Sequence, residues 1–177
     1  MAGPKSTFYW DTCVFLAWIR NEIRPAGEME GVREYVDQID TGKASLVTSV
    51  ITISEMLECR IEQAAAAEFR RVMDRSNVLL VDVTYPIAEL ASVIRNYYQL
   101  LDDREGQGKI ATPDAIHLAT AIVYECSEFN TFDDGKKDKD ARSLLGLGTG
   151  VADHPLLVRK PAARPKPAVT QLELTAQ

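Results

Sequence analysis

Histidine is scarce in this chain, cysteine is little better represented, and long apolar runs are missing. Only His117 and His154 occur, so a histidine-rich metal site is excluded by inventory. The three cysteines, Cys13, Cys59 and Cys126, are scattered and odd in number, with no CxxC pair. That pattern argues against a disulfide framework or a zinc site and suits buried small hydrophobes. No stretch approaches the roughly eighteen apolar residues of a membrane helix. Lys5 is followed within three residues by Phe8-Tyr9-Trp10-Asp11 and no small-residue cleavage site is recognised, so a cytoplasmic location is the default expectation.

Positive charge is also short. The net charge is -6, and the basic Arg159, Lys160, Arg164 and Lys166 gather near the end, so residues 1–158 are more acidic still. Phosphate contacts normally require the opposite balance. An acidic domain can act on nucleic acid when a divalent ion neutralises part of its charge; otherwise it does not touch nucleic acid at all.

What is present is ordinary for a globular domain: 177 residues, 46% hydrophobic and 26% charged. The β-branched and aromatic stretch from Thr7 to Val14 reads as a strand of which about five residues need be extended, and Val14 to Ile19 as the start of a helix or turn. Met29, Val32, Tyr35, Val36 and Ile39 recur at helical spacing between Gly27 and Gly42. Ser45 to Thr48 is a short buried strand, and from Ser49 a helix places Ile51, Glu55 and Glu58 near one face. Glu62 to Asp74 is helical by propensity. Val78 to Val83 reads as the clearest buried strand.

Pro86 opens a helix running through Leu101, and Gly106 to Gly108 reads as a loop. Thr112-Pro113-Asp114 is a helix start, with a capping hydroxyl and then proline at the first helical position. The spacing predicts a helix through Tyr124, a strand over Glu128 to Phe132, a short helix over Asp140 to Leu145, and a last strand at Leu156 to Val158. Strands alternating with helices indicate a three-layer α/β/α domain with a central, mostly parallel sheet over residues 1–160. Residues 161–177, rich in Pro, Ala and basic groups, read as an extended tail.

In such sheets functional groups collect beyond the carboxyl ends of strands. Four acids fall at strand ends or helix starts: Asp11 after the first strand, Glu55 on the helix after the second, Asp114 at a helix start, and Asp133, with Asp134, after the strand ending at Phe132. Each has a bland alternative. Asp11 can cap a helix, Glu55 and Glu58 can form a solvated face, Asp114 can complement a helix dipole, and Asp133-Asp134-Gly135 can be a turn. Chance placement of all four is much less economical. Asp11 stands out, because apolar residues flank it on both sides and no lysine or arginine lies nearby to pair with it.

These segments resemble the PIN-domain family, including the VapC-type toxins of bacterial toxin–antitoxin pairs. YWDTCVFL is similar to the family's opening strand and its acid, here Asp11. TSVITISEML carries the second acid onto Glu55, TPDAIHLATA the third onto Asp114, and FNTFDDG the fourth onto Asp133, behind Thr131. The likeness spans residues 7 to 158 in order, and TPDAIHLATA is its most specific piece. Cys13 stands where many members carry Asn or Ser, and the Asp133-Asp134 doublet leaves two choices for the fourth acid.

The resemblance implies a ribonuclease that holds Mg²⁺ or Mn²⁺ on Asp11, Glu55, Asp114 and Asp133. It also implies an RNA substrate, an antitoxin partner and a homodimer, with a housekeeping RNA-processing role as the alternative biology. Asp11 and Asp114 would be direct ligands, and Glu55 and Asp133 would complete the site. His117, one turn after Asp114, either contacts metal-bound water or RNA phosphate or fills space, the second being preferred. Arg60, Arg70, Arg71, Lys136 and Lys137 are candidate substrate contacts. A haloacid-dehalogenase-like phosphatase would need an Asp where Cys13 stands, and an inert PIN-fold binding module would have no use for four clustered acids.

Overall fold

The computed structural model describes residues 6–58, 61–136 and 140–163. Its elements are β1 (Ser6–Trp10), α1 (Thr12–Ile19), α2 (Glu28–Asp40), β2 (Ala44–Ser49), α3 (Ile51–Glu58), α4 (Gln63–Met73), β3 (Val78–Val81), α5 (Tyr85–Glu105), α6 (Thr112–Val123), β4 (Glu128–Asn130) and β5 (Leu157–Arg159). The strands form one parallel sheet in the order β3-β2-β1-β4-β5.

Alternation along β1 sorts the layers. Tyr9 points to one face, where Ile87, Ala91, Ile94 and Tyr98 of α5 and Ala115, Leu118 and Ala119 of α6 close over it. Phe8 and Trp10 point to the other, packing with Val14 and Phe15 of α1, Val32 and Tyr35 of α2, Met56 of α3, and Phe69 and Val72 of α4. Three layers result, as the alternation of strands and helices predicts. Among the described residues no helix is long and apolar enough to cross a membrane.

Several boundaries differ from the sequence reading. β1 ends at Trp10 and α1 begins at Thr12, because the Asp11 side chain caps the helix two residues before the apolar run suggests. β3 ends at Val81 and lies at the sheet edge, which leaves Leu79 47% exposed in a strand expected to be fully buried. Thr112 is not a cap: α6 starts at Thr112 behind an Ala111 cap position, and Pro113 is its second residue. The helix expected over Asp140 to Leu145 is replaced by a turn, an isolated bridge from Ala141 to Lys109, and a single 3-10 turn at Leu145–Leu147. Long-range bonds decide this: the Leu144 and Leu145 amides donate to the Asp133 side chain and carbonyl, and the Arg142 amide donates to the Lys109 carbonyl.

Past β5 the backbone at Pro161 and Ala162 runs against Gly31 of α2. A Cβ on Gly31 would stand 2.5 Å from the Pro161 carbonyl oxygen, so only glycine allows this approach. Most of the expected tail, including Arg164 and Lys166, lies outside the described residues, as do Cys59, Arg60 and Lys137.

Candidate functional site

The strand order reverses direction at β1, with β2 on one side and β4 on the other. In a parallel sheet the crevice at such a point, beyond the strand ends, is where a site can form. Asp11 stands in it. Its backbone is extended (φ -69, ψ 156), its amide donates to the Asn130 carbonyl at 3.1 Å, and its Oδ1 accepts the Thr12 amide at 2.7 Å. Oδ2 accepts from the Thr131 hydroxyl at 2.7 Å and the Cys13 thiol at 3.1 Å. A buried carboxylate needs such donors, and here neutral groups supply them.

Glu55 reaches the same place from α3. Its Oε2 accepts from the Thr12 hydroxyl in a short bond and from His117 Nε2 at 2.9 Å. His117 Nε2 is also 4.0 Å from Asp11 Oδ1. Asp11, Glu55 and His117 each offer an atom within 4.8 Å of the others. Among the described residues this is the tight group, and Asp114 and Asp133 stand outside it.

The electrostatics still tie Asp114 and Asp133 to the group. Asp114 lies in the first turn of α6. Burial, then the charge of Asp11, and to a lesser extent those of Asp133 and Glu55, push its carboxyl from 3.8 up to about 7, with His117 opposing. Glu55 is pulled the other way: burial would raise it, but the bond and charge of His117 and the bond from Thr12 hold it below the ordinary range. Burial likewise works against a charged His117, yet the bond to Glu55 and the fields of Asp11, Glu55 and Asp114 raise its pKa above the usual value.

Asp133 is engaged locally as well. Its Oδ1 accepts the Gly135 amide at 3.0 Å and its Oδ2 the Leu144 amide at 3.3 Å, so it shapes the loop it belongs to. Asp134 points away, paired with Lys136 at 2.7 Å, and that bond lowers its pKa. Of the doublet, Asp133 is the one whose charge bears on Asp114.

Two expectations change here. His117 does not merely fill space, since it is fully buried and bonded at both ring nitrogens, Nδ1 lying 2.6 Å from the Tyr9 hydroxyl. Cys13 is not an inert hydrophobe, because its sulfur also accepts the Phe132 amide at 3.1 Å and lies 3.3 Å from the Thr131 hydroxyl. Burial, then the Asp11 charge, push its thiol well above the usual range, so it stays protonated and donates. Cys126 fits the bland reading, with burial pushing its thiol to about 12.

Thr12 and Tyr9 are functional neighbours that the sequence alone did not single out. The signal for Tyr9 was the alternation that turns it away from Phe8 and Trp10 toward α6. Of the expected substrate contacts, Arg71 pairs with Glu68 at 2.7 Å and Lys136 with Asp134, while Arg70 lines a groove between α3 and α4.

Two solved structures share the architecture. One is VapBC2 from Rickettsia felis bound to a DNA fragment from its promoter, with TM-score 0.55 and 10% identity, over 86% of this chain and 98% of that one. The other is Mycobacterium tuberculosis VapC20, a sarcin-ricin loop cleaving toxin, with TM-score 0.51 and 15% identity, over 72% of this chain and 91% of that one. At these identities the likeness speaks for the fold. Among curated proteins none is similar enough in sequence to match. The sequence model of the PIN domain, by contrast, matches residues 8–141, a stretch that runs from β1 beyond β4 and takes in all four acids. With that match laid over a five-stranded parallel sheet whose switch point holds Asp11 and Glu55, the chain belongs to the PIN-domain family.

Proposed function

We propose that this protein is a divalent-metal-dependent ribonuclease and the toxin of a type II toxin–antitoxin pair. The observation that carries the reading is the convergence at the switch point of Asp11 and Glu55, which with His117 offer atoms within 4.8 Å of one another, and whose charges help to raise the Asp114 carboxyl. Without a cation such a cluster is electrostatically costly, and a site that serves no charge has no reason to keep it.

The donor set fits the ion. Carboxylate oxygens predominate, which suits hard Mg²⁺ or Mn²⁺ rather than a thiophilic metal, and the Cys13 thiol is kept protonated. Asp11 and Asp114 would be direct ligands; Glu55 and Asp133 would complete the site directly or through water. When bound, the ion supplies Lewis acidity toward water and the scissile phosphate. The protein's own groups do the rest. Thr12, Thr131 and Cys13 orient Asp11, and Glu55 and Asp133 would orient the attacking water.

RNA as substrate class is supported by the likeness to VapC20, and an antitoxin partner by the likeness to the VapBC2 complex. A homodimer and a cytoplasmic location belong to the same reading. So does the division into a nuclease unit of residues 1–160 and a basic tail of 161–177, available to the RNA backbone or to an acidic partner. Purified protein should cleave single-stranded or loop RNA with Mg²⁺ or Mn²⁺ and stop in EDTA. Expressed alone it should arrest growth, and Asp114→Asn should relieve the arrest. Harmless overexpression of an active nuclease would favour the housekeeping role; no cleavage under any divalent ion would leave an inert PIN-fold module.

A further inference from the structure

His117 has no exposed surface, and both of its nitrogens are committed. The Tyr9 hydroxyl oxygen accepts the Ser49 amide at 2.9 Å and lies 2.6 Å from His117 Nδ1. Nε2 faces a carboxylate oxygen of Glu55, which can only accept, so the proton of a neutral imidazole sits on Nε2 and Nδ1 is left to accept from the Tyr9 hydroxyl. If the ring is protonated, Nε2 carries a proton too. In either state Nε2 donates to Glu55 Oε2 at 2.9 Å.

That conclusion separates His117 from the acids it touches. A nitrogen that carries a proton has no lone pair for a metal. Instead, Glu55 Oε2 receives two donors, His117 Nε2 and the Thr12 hydroxyl, while Oε1 has no donor among the described residues. A glutamate on a short helix otherwise samples several rotamers. Held at one oxygen, it keeps the other available to an ion. The anchor is built from the core outward: Tyr9 is the last residue but one of the central strand β1, is fully buried, and stacks on Phe129 of β4 with ring centroids 5.1 Å apart.

We propose that Tyr9 and His117 are positioning residues that fix Glu55 for the ion, and that His117 is a hydrogen-bond donor to the site and not a ligand; the inference rests on the metal-nuclease reading above. It distinguishes three kinds of variant. In His117→Gln the amide nitrogen falls close to the former Nε2 and can still donate to Glu55. In His117→Asn the amide falls near Nδ1, reaching toward Tyr9 and leaving Glu55 unanchored. Tyr9→Phe keeps the ring but removes the hydroxyl that donates to Nδ1.

The test uses the full chain and Mn²⁺ as probe. Mn²⁺ affinity is measured by calorimetry, and each variant's melting shift is read against its own metal-free form, so a destabilised variant still gives an answer. His117→Asn should lose about 10- to 100-fold in Mn²⁺ affinity, the usual loss when a group behind a metal ligand is removed. His117→Gln should recover most of it, and Tyr9→Phe should fall between them. Cleavage should drop in kcat with the KM for RNA unchanged. Pulsed electron paramagnetic resonance of the Mn²⁺-loaded wild type should show no directly bonded nitrogen.

A nitrogen coupling from His117, or equal loss in His117→Gln and His117→Asn, would overturn the positioning role in favour of ligation. Wild-type affinity in His117→Asn would overturn it in favour of a packing role. Failure of wild type itself to bind Mn²⁺ would instead refute the metal-nuclease reading.

Discussion

Replacing Asp114 with asparagine should stabilise the metal-free protein while removing its response to metal. The carboxyl stands at about 7 in the fold against an ordinary 3.8. Every tenfold weakening of a carboxyl's acidity is worth about 1.36 kcal/mol, so full ionisation near pH 7.5 costs the folded state at most about 4 kcal/mol, and water reaching a partly exposed group reduces this to roughly 2 kcal/mol. Asparagine keeps the shape and carries no charge. For a chain of this size about 1 kcal/mol moves Tm by roughly 2–4 °C, so in EDTA at pH 7.5 the variant should melt several degrees above wild type.

The sign follows from linkage. A raised carboxyl makes the folded state hold its proton where the unfolded chain releases it, so the penalty is complete above pH 7 and vanishes as pH falls toward 4. The advantage of the variant should shrink over that window. Adding Mn²⁺ at a hundredfold excess over Kd should return about 2.7 kcal/mol to wild type and little to Asp114→Asn. Asp82→Asn, exposed beyond the end of β3, should keep the wild-type shift. Differential scanning calorimetry across pH 4–8, with and without metal, reads all of these. An Asp114→Asn protein that melts below wild type in EDTA, or retains the full metal shift, would refute the reasoning.

Gly31→Ala should destabilise by about 1–3 kcal/mol, because the new methyl meets the Pro161 carbonyl oxygen at 2.5 Å and the backbone there must move; a denaturant melt of the full chain checks it, and a neutral result would mean that this segment detaches freely. Cys13→Ser should keep the metal-induced melting shift and most of the cleavage rate, since a hydroxyl can donate to Asp11 as the thiol does. Wild-type Cys13 should also react slowly with thiol reagents at pH 7, because burial and Asp11 keep it protonated; rapid labelling there would contradict this.

The acids were legible because each sits just after a strand or in the early turns of a helix, and such places are marked locally by β-branched runs and by the residues that start helices. The partners of those acids were not. Thr12 and Thr131 hold Asp11 and Glu55 from sequence separations of up to 120 residues, and nothing local to either threonine announces it. Tyr9 and His117, 108 residues apart, meet only because β1 alternation and the α6 register agree. The same reason explains the segment after Asp133, where an expected helix gives way to bonds with Lys109 and with the Asp133 carboxylate. The edge position of β3 was hidden as well, because a run such as Val78 to Val81 reads the same with one neighbouring strand or two.

If the carboxylates at the switch point hold an ion that cleaves RNA, Asp11 offers the most direct test. Asp11 is the acid fixed by the most partners, and Asn can still accept from Thr12 and so preserve the start of α1. The decisive measurement is the single-turnover rate of RNA cleavage in saturating Mn²⁺ for wild type and Asp11→Asn, on samples whose circular dichroism agrees. Wild type should cleave, and the variant should lose at least roughly a hundredfold, the scale expected when a group that stabilises the transition state is removed. Cleavage at the wild-type rate by a folded Asp11→Asn would contradict the metal-nuclease assignment.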